Sequence, residues 1–409
     1  MRVNRCRGTR DLAPEEMARF RFIEKAFRDC CLKWGYEEVK TPTLEYLHLF
    51  TSTGTLTPGM LGKVYSFLDW DGWSGERVVL RPDGTIPIAR LYIDSMEGEK
   101  LAKLFYVANV FIFEATGKKT RERWQCGAEL VGMGSPLADV ELVMLALEVL
   151  KRLQLDGIKL KLSHAGLIRA LVAKLGLTAE EQARIFDRIL DGDGKALAKL
   201  GLNQPEMETL SSILDLRGKS ADFIKSLKAL FAPDLAQLQP YVDNFISIAE
   251  LLEALGSDCQ IDLASGRGFE YYTGIIFQIF NGEEKIGGGG RYDALIPLMG
   301  GKNTPASGFA LYLDRLMDLV KPEALVQPPG QRVLIRAEPQ EAKEGFSTVA
   351  RLHESGYRAE FYMGAQAEAD FGWTLDIQSK PPKFILIDQL KRQRFEVQTI
   401  NEVLKLLKG

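Results

Sequence analysis

LFYVANVFIFE (Leu104–Glu114) and WQCGAELVG (Trp124–Gly132) read as two strands joined without a helix, and a helical pattern from Ala138 to Leu153 follows them. Between the strands runs a polar stretch containing KKTRER, the composition of a solvated loop. Strands that follow one another through turns rather than crossover helices pair antiparallel. The stretch therefore predicts an α+β fold, an antiparallel sheet with flanking helices.

Upstream, Met17, Phe20, Ile23, Phe27 and Cys30 recur at helical spacing, which predicts an amphipathic helix over Glu15–Lys33 that breaks at Gly35. EEVKTPTLEYLHLF reads as extended and interrupted by Pro42, and VYSFLDW and ERVVLRPD read as strands joined across Asp71 and Gly72. Downstream, between Gly166 and Gly256, Leu, Ala and Lys dominate with helical periodicity, so an all-helical insertion is expected. Strands return at Cys259–Leu263 and Tyr271–Phe280. Gly287–Gly290 then reads as a tight strand connection with close backbone approach, and a last helix as Leu311–Val320. LVQPPGQ has linker composition, and VLIRA, FSTVARLHESG, FILID and INEVLKLLKG beyond it alternate strand and helix. The expected organisation is a core of residues 1–165 and 257–322, a helical insertion at 166–256, and a small α/β domain at 331–409.

A chain of 409 residues, 46% hydrophobic and 26% charged, suits two or three globular domains. Its net charge of −3 lacks the basic surplus of a broad nucleic-acid grip. The five cysteines are scattered and never in Cys-x-x-Cys spacing, which fits a reducing cytoplasm and suggests neither a disulfide framework nor a zinc site. The first residues carry charge without an apolar stretch, so neither export nor membrane insertion is expected. None of His48, His164 and His353 lies near a cysteine or another histidine at ligand spacing, so no metal or other cofactor is expected. GDGK at Gly192–Lys195 lacks the spacing and hydroxyl of a phosphate loop and reads as a polar turn.

The chemistry lies in three segments: LRPDGT (Leu80–Thr85), RERWQCGAELVG (Arg121–Gly132) and SGRGFEYYTGIIF (Ser265–Phe277). With CRGTRDLAPEE, GYEEVKTPTLE, GGGGRYDALIPLMGG and PASGFALYLDR, they resemble the class II histidyl-tRNA synthetase family, in the same order over roughly the first 320 residues. A free histidine needs acceptors for its ammonium, a cation for its carboxylate and a polar pair for its imidazole. The resemblance implies Asp83 and Gln125 at the α-amino group, Arg267 at the family's histidine-specific arginine position, and Glu129 with Tyr271 or Tyr272 at the imidazole, Thr85 completing the set.

Three departures from the family pattern bear on whether the chain is an enzyme. The family's Phe-Arg-x-Glu pattern holds the ATP α-phosphate, and here Ile112 stands in the arginine's place, with no donor and no charge. Lys118, Lys119, Arg121 and Arg123 are the alternative cations nearby. Asp83 shortens the family's glutamate by one methylene. Tyr312 replaces a glycine that lies against the adenine, although Arg315, matching the adenine-stacking arginine, is kept. The C-terminal unit is shorter than the family's anticodon-binding domain, and its acidic segment GAQAEADFGWTLDIQSKPP replaces a Lys-rich helix. These departures resemble the regulatory subunits of ATP phosphoribosyltransferase, which implies a histidine-binding, non-catalytic homodimer in a hetero-oligomer with a short catalytic chain. tRNA is not expected as a partner. The alternatives are an active histidyl-tRNA synthetase and a paralogue that charges another carrier.

Overall fold

The computed structural model describes residues 4–6, 8–54, 56, 58–69, 75–112, 120–173, 177–178, 181–182, 185, 216–230, 235–263, 271–325 and 332–408. The chain divides into two compact units, Met1–Ala324 and Leu325–Gly409. In chain order the first unit contains β1 (Glu37–Glu38), β2 (Leu44–Tyr46), β3 (Ser66–Leu68), β4 (Arg77–Leu80), β5 (Ala102–Phe111) and β6 (Glu122–Val131). There follow β7 (Ile158–His164), β8 (Arg217–Lys219), β9 (Cys259–Asp262), β10 (Ile275–Asn281), β11 (Glu284–Arg291) and β12 (Ala306–Tyr312).

Nine of these form one sheet in the order β1-β5-β6-β12-β11-β10-β7-β9-β8, with β2, β4 and β3 in a small separate sheet. The run from β5 to β7 is antiparallel throughout, and parallel pairs occur only at β1/β5 and β7/β9. Side chains alternate across a strand, so register assigns every residue to a face. One face carries Phe105, Trp124, Cys126 and Phe309, and the helix Pro14–Lys33 covers it. Phe20 meets Trp124 edge-on at 5.0 Å, and Phe27 meets Phe105 at 5.9 Å and Phe309 at 6.4 Å. Phe20, Ile23, Phe27 and Cys30, four members of the predicted stripe, are buried there. Full burial of an aromatic such as Phe27 contributes about 1.5–3 kcal/mol.

The opposite face holds Tyr106 and Ala108 on β5, Gln125, Gly127 and Glu129 on β6, and Gly308, Ala310 and Tyr312 on β12, with Gly288 and Gly290 in register on β11. Small residues here let bulky ones lie close to the sheet. A methyl on Gly84 or Gly127 would overlap the Tyr106 ring, and one on Gly290 would come within 2.8 Å of the Tyr272 ring.

The structure alters several local expectations. Gly287–Gly290 is the interior of β11 rather than a connection, because β10 and β12 crowd it from both sides; a Gly288 methyl would approach the Phe277 carbonyl oxygen to 2.7 Å. Leu47–Thr51 forms a short helix where extended chain was expected. Within the insertion, helices Ala165–Ala173, Ala221–Leu230 and Leu235–Ala254 are joined by a strand, β8, which pairs with β9 at the sheet edge, so the segment is not all-helical. Tyr271 precedes its strand, which starts at Ile275, and Leu311 and Tyr312 end β12 before a helix at Leu313–Leu319. β7 escaped the sequence reading. The Asp71-Gly72 turn, GDGK and most of LVQPPGQ lie outside the described residues.

The second unit has β13 (Arg332–Ala337), β14 (Arg358–Phe361), β15 (Trp373–Ile377), β16 (Phe384–Asp388) and β17 (Gln393–Val397), ordered β14-β13-β15-β16-β17. Val333, Ile335, Leu352, Leu375 and Leu386 form its core beneath the helix Ala342–Glu354. Its last helix, Ile400–Leu407, starts on a capping box in which Thr399 and Glu402 exchange side-chain to backbone bonds. Among the described residues no helix is long and apolar enough to cross a membrane.

Candidate functional site

LRPDGT leads from β4 into the helix Thr85–Ser95. Arg81 is structural: Nε and Nη2 bond Asn109, and Nη1 reaches the Thr41 carbonyl at 3.0 Å and the Pro42 carbonyl at 3.1 Å. This clamp fixes the chain entering the helix. Asp83 then caps the helix, its carboxylate accepting from the Ile86 N–H at 2.9 Å. Burial pushes the Asp83 carboxyl up to about 6, against the backbone N–H groups that favour its charge.

Thr85 and Glu129 meet, Thr85 Oγ1 donating to Glu129 Oε1 at 2.8 Å. The other carboxyl oxygen, Oε2, accepts from the Tyr292 hydroxyl. Glu129 is 1% exposed, and burial pushes it up to about 8 although both hydroxyls pull the other way. Tyr271 packs edge-on against Tyr272 at 5.3 Å and against Tyr292 at 5.6 Å. Desolvation raises all three phenols well above their ordinary value, so they are neutral donors across the accessible pH range.

These residues border a cleft of about 460 Å³, counted with its open mouth, lined by Asp83, Thr85, Tyr271, Tyr272, Tyr292 and Tyr312 among others. Glu129 lies directly beneath Gly308, where any side chain would overlap its carboxylate. Gln125 sits on the same face, in register with Ala108 and Tyr312, and its Oε1 is buried without a hydrogen-bond partner among the described residues. The structure thus brings together Asp83, Thr85, Glu129, Tyr271 and Tyr272, with Gln125 and Tyr312 on the adjoining sheet surface. Arg267 lies outside the described residues.

On the nucleotide side, Ile112 stands one residue beyond β5, its N–H donating to the Arg121 carbonyl at 3.1 Å. Of the alternative cations, Arg121 donates to the Tyr65 hydroxyl at 3.1 Å, while Lys118 and Lys119 lie outside the described residues. Arg315 is half-exposed and paired with Glu284 at 2.9 Å. Among the described residues no cluster of three or more His, Cys, Asp or Glu is arranged to hold a metal. His164 is buried; its Nδ1 accepts from the Leu167 N–H at 3.1 Å, and burial pushes it down to about 4, a neutral helix cap.

Sequence reasoning missed Tyr292, although GGGGRYD contains it, because its role depends on Glu129, 163 positions away. It also missed the buried pair beside it. Arg291 Nη2 and Nε bond both carboxylate oxygens of Asp139 at 2.8 and 3.1 Å, with side-chain exposures of 6% and 2%. A charge at Asp139 in a helix whose neighbours are apolar was the available signal.

A family model of histidyl-tRNA synthetase matches residues 8–316. Over 408 residues the chain is 48% identical to an ATP phosphoribosyltransferase regulatory subunit of Dehalococcoides mccartyi (strain BAV1), covering 100% of this chain and 99% of that one. The chain belongs to the ATP phosphoribosyltransferase regulatory subunit family. A histidine–tRNA ligase of Methanosarcina acetivorans is 31% identical over 431 aligned positions, again spanning 100% of this chain and 99% of the relative. The fold is that of a Bacillus halodurans crystal structure described as an ATP phosphoribosyltransferase regulatory subunit/histidyl-tRNA synthetase. It has a TM-score of 0.76 and 24% identity, covering 92% of this chain and 98% of the other. Regulatory subunit and synthetase therefore share this scaffold, and the resemblance read from the separated segments is kinship.

Proposed function

We propose that this chain is the regulatory subunit of an ATP phosphoribosyltransferase in histidine biosynthesis, binding free histidine and tuning a separate, short catalytic chain. The ammonium group lies against Asp83 and Gln125, and Arg267 supplies the cation for the carboxylate. The imidazole meets Glu129, steadied by Thr85, with Tyr271 and Tyr272 alongside. Histidine acts by binding two arrangements of the complex with different affinity, which is the thermodynamic content of allostery.

One observation carries this reading: the acidic and phenolic cluster is complete, while the position suited to a phosphate-binding arginine is the aliphatic Ile112. An amino-acid site is kept and a nucleotide site is worn away. Loss of one electrostatic contact to a reacting group typically costs a factor of about 10² to 10³ in rate. Tyr312, in place of a glycine, crowds the adenine position as well.

Two assays on the purified chain test it together. Calorimetric titration with histidine should give saturable heat, and histidine-dependent exchange of pyrophosphate into ATP should stay at background. Robust exchange would make the chain a synthetase and sink the regulatory reading.

We also propose a homodimer within the hetero-oligomer. β2, β4 and β3 place Tyr46, Val78 and Phe67 in one cross-strand row, with Leu44 opposite Leu80 on the same face. Leu44, Tyr46 and Phe67 are 46%, 42% and 40% exposed, an apolar sheet face that a second copy would cover. Light scattering should return twice the chain mass for the native protein and a lower mass for Tyr46→Glu/Phe67→Glu. A native monomer at micromolar concentration overturns the proposal.

A further inference from the structure

Tyr292 is 2% exposed, and the residues on both sides tie its backbone down. Arg291 is bound to Asp139 and to the Met133 carbonyl, and Asp293 donates its N–H to Thr273 Oγ1 at 3.0 Å while accepting from the Ala306 N–H at 2.9 Å. Tyr292 itself donates its N–H to the Ala306 carbonyl at 2.8 Å. With the backbone held at three successive residues and the ring wedged beside Tyr271, the hydroxyl has one place to go: Glu129 Oε2. Thr85 holds Oε1 from the opposite element. Tyr106 interacts with the same carboxyl, and since a carboxylate offers about four acceptor directions, one remains for a ligand.

We infer that Tyr292 is a positioning residue of the proposed histidine site: its hydroxyl orients the Glu129 carboxyl and steadies the ionised form that accepts an imidazole N–H, so histidine affinity follows the ionisation of Glu129. The inference rests on the histidine reading above and deepens it. Tyr292 acts on Glu129, not on the ligand. A half-held carboxyl would have two orientations and a stronger hold on its proton.

The groups facing Glu129 are Thr85 and Asp83 from the helix start, Tyr106 from β5, Tyr292 after β11, and Tyr271 and Tyr272. The four phenols stay neutral, each raised well above its ordinary value. Asp83, pushed up to about 6, is largely ionised before Glu129 titrates near 8. The sign follows from a raised carboxyl: below about 8 the empty site holds Glu129 neutral, and affinity gained through its ionised form grows as pH rises through that value. Removing the Tyr292 hydroxyl takes away a contact that favours the charge, moving the ionisation higher.

The test is calorimetric titration of the full-length native chain and Tyr292→Phe with histidine from pH 6 to 9. The ligand's own groups titrate identically against both proteins, so the difference between the curves isolates Glu129. Native affinity should rise from pH 6 to about 8, above which loss of the ligand's ammonium proton lowers it for both proteins alike. The variant should be about tenfold weaker at pH 7, the usual scale for one bond to a charged group, with its rise displaced to higher pH. Parallel curves, weaker by one factor at every pH, would reduce Tyr292 to packing and overturn the inference. A second measurement needs no variant: in buffers of different ionisation enthalpy, native binding should release protons at pH 7, and the release should give way to uptake toward pH 9, where Glu129 is already ionised and the ligand's amine must gain a proton to bind. Release that is zero at pH 7 overturns the inference even where Tyr292→Phe fails to fold. No heat from the native chain at any pH removes the histidine reading itself, a different outcome from either.

Discussion

Gly308→Ala is expected to abolish histidine binding, with affinity falling beyond a hundredfold. Gly308 is paired in register with Glu129 on β6 and Gly290 on β11, and a methyl there overlaps the Glu129 carboxylate and approaches the Ala128 carbonyl oxygen to 2.8 Å. Its φ is not in the left-handed region, so alanine suits the backbone and the effect is steric. Glu129 cannot retreat without breaking its bonds to Thr85 and Tyr292, and the sheet cannot part without breaking ladder bonds on both sides. Overpacking a filled interior typically costs about 1–3 kcal/mol, which a domain of this size survives. The variant should therefore unfold cooperatively at lower denaturant while giving no heat with histidine. Native affinity in Gly308→Ala would show that the ligand sits elsewhere than above Glu129.

Asp139→Ala is expected to cost about 3–5 kcal/mol of stability, because removing one member of a buried ion pair leaves the other charge uncompensated. Arg291 is 5% exposed and is held by both carboxylate oxygens of Asp139. The remaining contacts, the Met133 carbonyl and Asp293, do not replace a buried counter-charge. Guanidinium unfolding reads the loss. The double variant Asp139→Leu/Arg291→Met should recover much of it, since an apolar pair of similar volume removes the stranded charge. A loss below about 1 kcal/mol for Asp139→Ala would mean that water reaches the pair. Tyr292 follows Arg291 directly, so the same variant should also loosen the Glu129 carboxyl and weaken histidine binding.

Asp83 and Thr85 lie two and four residues from Arg81 in one segment, and their proximity was legible because a helix start fixes it locally. Glu129 and Gln125 are four apart on one strand, and period-two alternation alone puts them on the same face. Tyr292 is different. Its hydroxyl reaches Glu129 only because β12 alone separates β11, which Tyr292 follows, from β6, an arrangement no local pattern encodes. The glycine run was legible as close approach but not as strand, since glycine is a poor strand former and only flanking strands on both sides hold it extended. β8 was misread for the same kind of reason. Three residues inside a helical stretch carry no periodicity, and pairing with β9 alone makes them a strand.

The amino-acid sequence by itself determined the kinship, the amphipathic helix on the sheet, the cleft-facing residues of LRPDGT and of β6, and the aliphatic Ile112 where the resemblance implies an arginine. These are properties of residue identity and of short-range spacing, where helix and strand periods act directly. Tertiary structure alone decided how the carboxyl of Glu129 is held, why Gly308 is glycine, and that Arg291 spends its charge on Asp139 rather than on a ligand. Each of those depends on residues from distant parts of the chain being pressed together in a dry interior, where burial sets both their pairing and their ionisation.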